Sequence, residues 1–243
     1  MIDVDAIDSH LLLHGDCMEL MREIPDHSID LILCDPPYNI AKYSTGNMKF
    51  EWRPDINNDV AAWDLVELSP ADLVGEFKRL LAPTGNIFVF TAYHMIGKWH
   101  DAFDKEFDTF QFMVWHKTNP VPNIRKTSFL NSCELIACMW NKGHTWNFLG
   151  QSRMHNFIEA PICLGHERIS TPRHPTQKPV SVLKHITQIA SNEGDLVLDM
   201  FMGVGSTGVA AVELNRRFIG IEIDRKYYDA SVKRLALRNN PLV

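Results

Sequence analysis

Apolar positions in this chain fall in short runs, separated by stretches of helical period and by clusters of Gly, Pro, Asn and Asp. Ile29-Asp30-Leu31-Ile32-Leu33-Cys34 reads as a buried strand. Runs at 11–13, 87–90, 110–115, 133–140, 196–198 and 218–223 predict further strands. Residues 17–24, 73–81, 93–107, 180–190 and 227–237 read as helices, and a helix rich in small residues follows the glycines at 203–208. Ser69 has the chemistry of an N-cap with Pro70 at the first helical position. Pro83-Thr84-Gly85 predicts the turn that ends that helix. Strand and helix alternate, which predicts an α/β fold: a mostly parallel sheet covered by helices on both faces. At 243 residues this is one domain, read here as 1–243 with a small insertion at 141–173 where periodicity fades. A second stretch, 39–63, is polar and irregular, and a loop of that length inside a domain is a candidate for function or mobility.

Composition adds a packed core, with 45% apolar and 22% charged residues. Five cysteines form no CxxC pair, and Cys133 and Cys138 fall on opposite faces of a predicted strand. A reduced, cytoplasmic protein is expected, with no metal site. The acidic N-terminus carries no signal-peptide pattern, and no apolar run nears the roughly 18 residues of a membrane helix. The net charge of −6 does not suggest a polyanion partner, but its distribution does. Between 116 and 178 stand eight basic residues, three acidic ones and five histidines. One face for a polyanion is the reading; a chance excess of solvated cations is the alternative. Basic residues interleave with Trp146, Phe148 and Phe157, which suits nucleic acid as well as it suits a loose surface segment.

Two stretches carry chemistry. The first is Asp35-Pro36-Pro37-Tyr38, at the end of the strand beginning at Ile29. Asp35 sets a carboxylate where the sheet stops. Two prolines leave stiffly with their carbonyls open as acceptors, and Tyr38 adds a flat face. That combination suits a planar group bearing an NH2, such as a nucleobase; an ordinary turn is the plainer alternative. The second is Asp199 through Gly203-Val204-Gly205-Ser206-Thr207-Gly208, between a strand and a helix. Gly203 permits the tight turn, Gly205 lets backbone approach a ligand, and Gly208 lets helix pack on strand. Glu222, at the end of the next strand, is placed to accept ribose hydroxyls. The glycines also satisfy G-x-G-x-x-G, so a nicotinamide-dependent oxidoreductase is a rival. Asp199 fits a cationic amino-acid group better than a pyrophosphate, and a dehydrogenase gives no reason for Asp35 to Tyr38.

Together these residues resemble the β class of amino-methylating DNA methyltransferases. The likeness lies in the DPPY motif at 35–38, the cofactor loop from Asp199 to Ser206, the preceding His174-Pro175-Thr176-Gln177-Lys178-Pro179, the strand Gly220-Ile221-Glu222-Ile223-Asp224, and Gly15-Asp16. Met200 and Ser206 depart from the family's usual Pro and Thr. The resemblance implies a Rossmann-like, circularly permuted methyltransferase fold with seven strands, one antiparallel. It implies S-adenosyl-L-methionine as cofactor, held by Asp16, Lys178, Asp199, Phe201, Gly203, Gly205, Ser206, Thr207 and Glu222. Asp35, Pro36, Pro37 and Tyr38 become catalytic, with Tyr38 stacking on a flipped base and 39–63 closing over it; Phe50 or Trp52 are further aromatic contacts there, or simply core. Lys117, Asn119, Arg125, Lys126 and Arg153 are the expected DNA contacts, His116 a polar wall residue and Cys34 a small core residue. The insertion at 141–173 becomes the target-recognition segment. The expected partner is double-stranded DNA with no membrane, and a homodimer is compatible. Asp at the first catalytic position favours adenine N6, because cytosine-N4 members more often have Ser there. Cytosine N4 and a non-catalytic DNA-binding protein stay as alternatives.

Overall fold

A computed structural model describes residues 1–38, 68–124 and 126–238. The expected long loop at 39–63, with Phe50 and Trp52, lies outside the described residues, as does Arg125. The strands are β1 (His10–His14), β2 (Ile29–Cys34), β3 (Leu81–Thr91), β4 (Thr109–Lys117), β5 (Cys133–Trp140), β6 (Phe157–Ala160), β7 (Leu196–Asp199) and β8 (Arg217–Glu222). The helices are α1 (Cys17–Leu20), α2 (Pro70–Leu80), α3 (Ile96–Phe103), α4 (Val180–Ala190), α5 (Ser206–Val212) and α6 (Arg225–Ala236). One sheet of eight strands runs in the order β1-β8-β7-β2-β3-β5-β4-β6. Among the described strands β5 alone is antiparallel to its neighbours β3 and β4.

The expectation of seven strands is corrected to eight. The additional strand, β6, lies in the segment that shows no periodicity, and it pairs in parallel with β4 at the edge of the sheet. Other differences are of extent. The helix expected at 93–107 is the shorter α3, and the one at 17–24 is α1 followed by a 3-10 turn at Met21–Glu23. Pro83-Thr84-Gly85 does not end α2; β3 starts directly at Leu81, and these residues bulge, so that Ile29 pairs with Leu81 but Leu31 already pairs with Asn86. Ser69 caps α2, accepting from Ala71 N, while Asp72 accepts from Ser69 N in return.

Alternation along the strands divides the core in two. Ile32, Ile87, Val89, Leu198, Ile219 and Ile221 face Leu73 and Phe77 of α2 and Trp99 and Phe103 of α3. Leu31, Leu33, Phe88, Phe90, Val197 and Phe218 face Val182, Leu183 and Ile186 of α4, Val209 of α5 and Leu235 of α6. Helices therefore cover both faces, and the parallel strands β2, β7 and β8 deliver their C-terminal ends to one edge, where α/β folds bind ligands. Among the described residues no helix is long and apolar enough to cross a membrane.

Candidate active site

That edge holds a cavity of about 570 Å³. Its lining joins both chemical stretches: Asp35, Pro36, Pro37 and Tyr38 after β2; Asp199 to Val204, Ser206 and Thr207 after β7; Glu222 to Asp224 after β8; Gly15 to Met18 after β1; and His174 with Thr176 to Lys178 before α4. Gly203 (φ 52°) and Gly205 (φ 76°) are both left-handed, the conformation that favours glycine. Gly208 is needed for space: a Cβ there would lie 2.7 Å from Phe218 and 2.9 Å from Leu235.

Carboxylates set the electrostatics. Asp199 is buried, accepts from Phe201 N at 3.0 Å and is bonded by the Thr207 hydroxyl; burial nevertheless pushes its carboxyl up to about 7. Glu222 accepts from Gly203 N at 2.9 Å through one oxygen and from Asp224 N at 2.7 Å through the other. It therefore braces the glycine loop, and each oxygen keeps a second lone pair for a hydroxyl. Burial also raises Glu222. Asp16 is exposed at the rim and caps α1 through Met18 N. His174 stands against Gly203 and Tyr227, and burial lowers it to about 4, so it is a neutral wall.

Around Asp35 the bonds are short. Tyr38 donates its hydroxyl to Asp35 Oδ1 and Lys178 donates to Asp35 Oδ2, each at 2.5 Å. Lys178 Nζ also lies 3.2 Å from the Tyr38 hydroxyl and 3.2 Å from Glu134 Oε2. Lys178 thus lines the shared cavity beside Asp35 and Tyr38. Burial works against its charge, but Asp35 and Glu134 outweigh it and hold the ammonium above its ordinary value. Burial pushes Asp35 up against the pull of Lys178, and it pushes the Tyr38 hydroxyl well up. With two carboxylates around one lysine, the ammonium form of Lys178 prevails and Asp35 is the carboxylate. Cys34 is buried with its thiol pushed well up, so it is an inert core residue.

The expected DNA contacts divide. Lys126 and Arg153 are exposed. Lys117 is not: it is buried, with Nζ 2.8 Å from Glu134 Oε1. Strand alternation places it on the inward face with Met113 and Trp115, so its ammonium is turned to Glu134 and away from open solvent. Asn119 is committed as well, its Oδ1 accepting from Ile162 N at 2.7 Å. His116 lies on β4's other face, bonded to Glu159 at 3.1 Å and stacked on Phe157. Sequence reasoning missed Glu134. It stood among the basic residues as a minority acid, and an acid on the inward face of a strand is a signal of pairing.

A family model described as DNA methylase, of the N6 and N4 type, matches residues 29–233. The chain belongs to the DNA methylase family. The type II methyltransferase M.HinfI of Haemophilus influenzae is 36% identical over 256 residues, spanning 95% of this chain and 69% of its own length. M2.LlaDCHI, a type II methyltransferase of Lactococcus lactis subsp. cremoris, is 31% identical over 246 residues, spanning 93% and 88%. Among solved structures, the M1.HpyAVI–SAM complex superposes with TM-score 0.66 at 25% identity, covering 93% of this chain and 99% of that one. The cytosine-N4-specific PvuII DNA methyltransferase superposes with TM-score 0.70 at 18% identity, covering 98% and 89%, a likeness of fold alone.

As a DNA methylase of this type the chain is an S-adenosylmethionine-dependent amino-methyltransferase of DNA. The residues present fit that cofactor. Its ammonium and sulfonium match a cavity lined by the buried Asp199, whose carboxyl burial raises to about 7. Glu222 retains lone pairs at the wall, and Phe201, Ile223 and Tyr227 add apolar surface.

Proposed function

We propose that this DNA methylase transfers the methyl group to N6 of an adenine in a short double-stranded DNA site, with the target base flipped out of the helix. The observation that carries the reading is the shared cavity: Asp35 and the Asp199 loop open on one space. Asp35, where cytosine-N4 members more often have Ser, supports adenine.

In this proposal Asp199 holds the cofactor's ammonium, Glu222 its ribose hydroxyls and Asp16 its adenine side. Phe201, Gly203, Gly205, Ser206 and Thr207 form the floor, and Lys178 acts through Asp35. When bound, S-adenosylmethionine would supply the methyl group to the amine lone pair, its sulfur leaving as a neutral thioether. The target amine is a poor nucleophile because its lone pair is drawn into the ring. Asp35 and the Pro36 carbonyl accept its two hydrogens, which favours a pyramidal nitrogen with its lone pair aimed outward. Both bonds strengthen as positive charge develops, so they stabilise the transition state more than the ground state. The proton shed afterwards has Asp35 as its nearest carboxylate. Pro37 stiffens the turn, and Tyr38 orders Asp35 through its hydroxyl while its ring offers a stacking face. Lys126, Arg153 and Arg125 contact DNA phosphates, and 141–173 reads the target site within a single domain over 1–243.

The test is labelled-methyl transfer to genomic DNA, followed by nucleoside analysis and mapping of the modified sites. N6-methyladenine is expected. N4-methylcytosine would move the target to cytosine, and no labelled DNA would overturn the reading.

A further inference from the structure

Glu134 opens β5 and faces two lysines. Its Oε1 is 2.8 Å from Lys117 Nζ, and its Oε2 is 3.2 Å from Lys178 Nζ. Lys178 is in turn 2.5 Å from Asp35 Oδ2. Four charges therefore alternate along one line: Lys117, Glu134, Lys178, Asp35. Their side chains are between 6% and 20% exposed, so each is too buried to rely on solvent for its partner. The pairing is uneven. Lys178 Nζ lies 2.5 Å from Asp35 Oδ2 and donates to the Tyr38 hydroxyl at 3.2 Å, while Glu134 Oε2, shielded from solvent, stands farther from it than Asp35 does. The ammonium sits toward Asp35 with a second carboxylate oxygen 3.2 Å behind it.

This matters if Asp35 is the amine's acceptor, the reading above on which the inference rests. Both Asp35 oxygens already accept, one from Tyr38 and one from Lys178. An oxygen held by a close ammonium is a weaker acceptor for an incoming NH2. We propose that Glu134 is a positioning residue that takes the Lys178 ammonium from Asp35 as the target amine arrives, freeing one Asp35 oxygen to accept from it. No proton moves in the exchange, and the four groups keep a net charge of zero. Lys117 keeps Glu134 ionised and aimed at Lys178, while Lys178 still lies close enough to steady the Asp35 charge.

The experiment compares wild type, Glu134→Gln and the double variant Glu134→Gln/Lys117→Met. Single-turnover methyl transfer to duplex DNA is read beside cofactor affinity and melting temperature. Glu134→Gln should lower the transfer rate by about 10- to 100-fold, the worth of one charged hydrogen bond, with cofactor affinity unchanged. The double variant removes the lysine that the first change strands, so it recovers melting temperature but stays slow. A double variant with the wild-type rate would overturn the proposal, because Glu134 would then serve only to neutralise Lys117. So would Glu134→Gln at the wild-type rate. If Glu134→Gln fails to fold, the double variant decides alone. A wild-type protein that labels no DNA would instead remove the proposed function, and that outcome shows before any variant is compared.

Discussion

Asp199 gives the sharpest quantitative expectation. It is 3% exposed, and burial lifts its carboxyl from 3.8 to about 7 in spite of its bonds from Phe201 N and Thr207. In the cofactor-free protein it is therefore about half ionised at pH 7 and about one-tenth ionised at pH 6. A ligand with an ammonium and a sulfonium selects the ionised form. Its apparent affinity follows the ionised fraction and should tighten about fivefold from pH 6 to pH 7. At pH 6 the share of Asp199 in the proton release on binding should be about 0.9 per ligand, which titration calorimetry in two buffers of different protonation heat measures by comparison of wild type with Asp199→Asn. The range ends at pH 7 because an α-amino group titrates near ~8. Glu222 and Asp35 are raised by burial too and contribute with the same sign, so Asp199→Asn is needed to isolate the effect. That variant should lose the Asp199 share of the slope and bind about 10- to 100-fold more weakly at pH 7, the worth of one charged hydrogen bond. Stability has the matching sign. Between about pH 4 and about pH 7 the native carboxyl holds a proton that the unfolded chain has lost, so the free protein loses stability as pH climbs through that window. Asp199→Asn should therefore melt higher than wild type at pH 8 without cofactor. No proton release at pH 6, or the full wild-type slope in the Asn variant, would refute the assignment.

Three further changes probe the rest of the site. Asp35→Asn should leave cofactor affinity intact and lower single-turnover methyl transfer by about two to three powers of ten, since it removes an acceptor that strengthens in the transition state; normal transfer would refute the acceptor role. Glu222→Ala strips the acceptor from the N–H groups of Gly203 and Asp224. It should lower both cofactor affinity and melting temperature, whereas Glu222→Gln, keeping one acceptor, should spare more of the stability; calorimetry and thermal melts separate the two. Gly208→Ala sets a Cβ 2.7 Å from Phe218. Overpacking of this kind is worth about 1–3 kcal/mol, or a melting temperature lower by roughly 3–10 °C, with no change in the pH dependence of binding.

Much of the fold was legible because burial imposed a period. The runs in β2, β3, β5, β7 and β8 are buried on both faces, and the Ser69 cap carries its own local chemistry. β6 was not legible. Only Ala160 of its four residues is buried, and an edge strand that short has no room to show an alternation. α3 was overread because Met95 and Phe107 are buried and continue the apolar spacing beyond the helix. The glycine loop and Asp35 stood out because strand, glycines, helix and a following acid come in a set order, and the structure brings both stretches to one cavity. Lys117 was misplaced by counting it as a residue past a strand, when Met113, Trp115 and Lys117 already stand two apart on one inward face.

The antiparallel β5 explains why the ion chain hides from a linear reading. Ligand groups in a parallel sheet are sought where strands end, and the candidates Asp35, Asp199 and Glu222 all stand there. β5 runs the other way, so its first residues lie at the edge where its neighbours finish: Cys133 and Glu134 pair with His116 and Trp115 at the end of β4. Parity then chooses the face. Glu134 shares its side of the sheet with Ile136, Cys138 and Trp140, and Lys117 with Met113 and Trp115; Phe90 points the same way. That side is covered by α4, and Lys178 stands two residues before its start, so the lysine is brought down onto Phe90, Tyr38 and Glu134 together. Direction puts Glu134 at the right edge, alternation puts it on the right face, and the approach to α4 supplies the cation between it and Asp35. A single antiparallel strand is thereby enough to give the Asp35 carboxylate a buried counterpart on the far side of Lys178, which parallel strand ends alone would not provide.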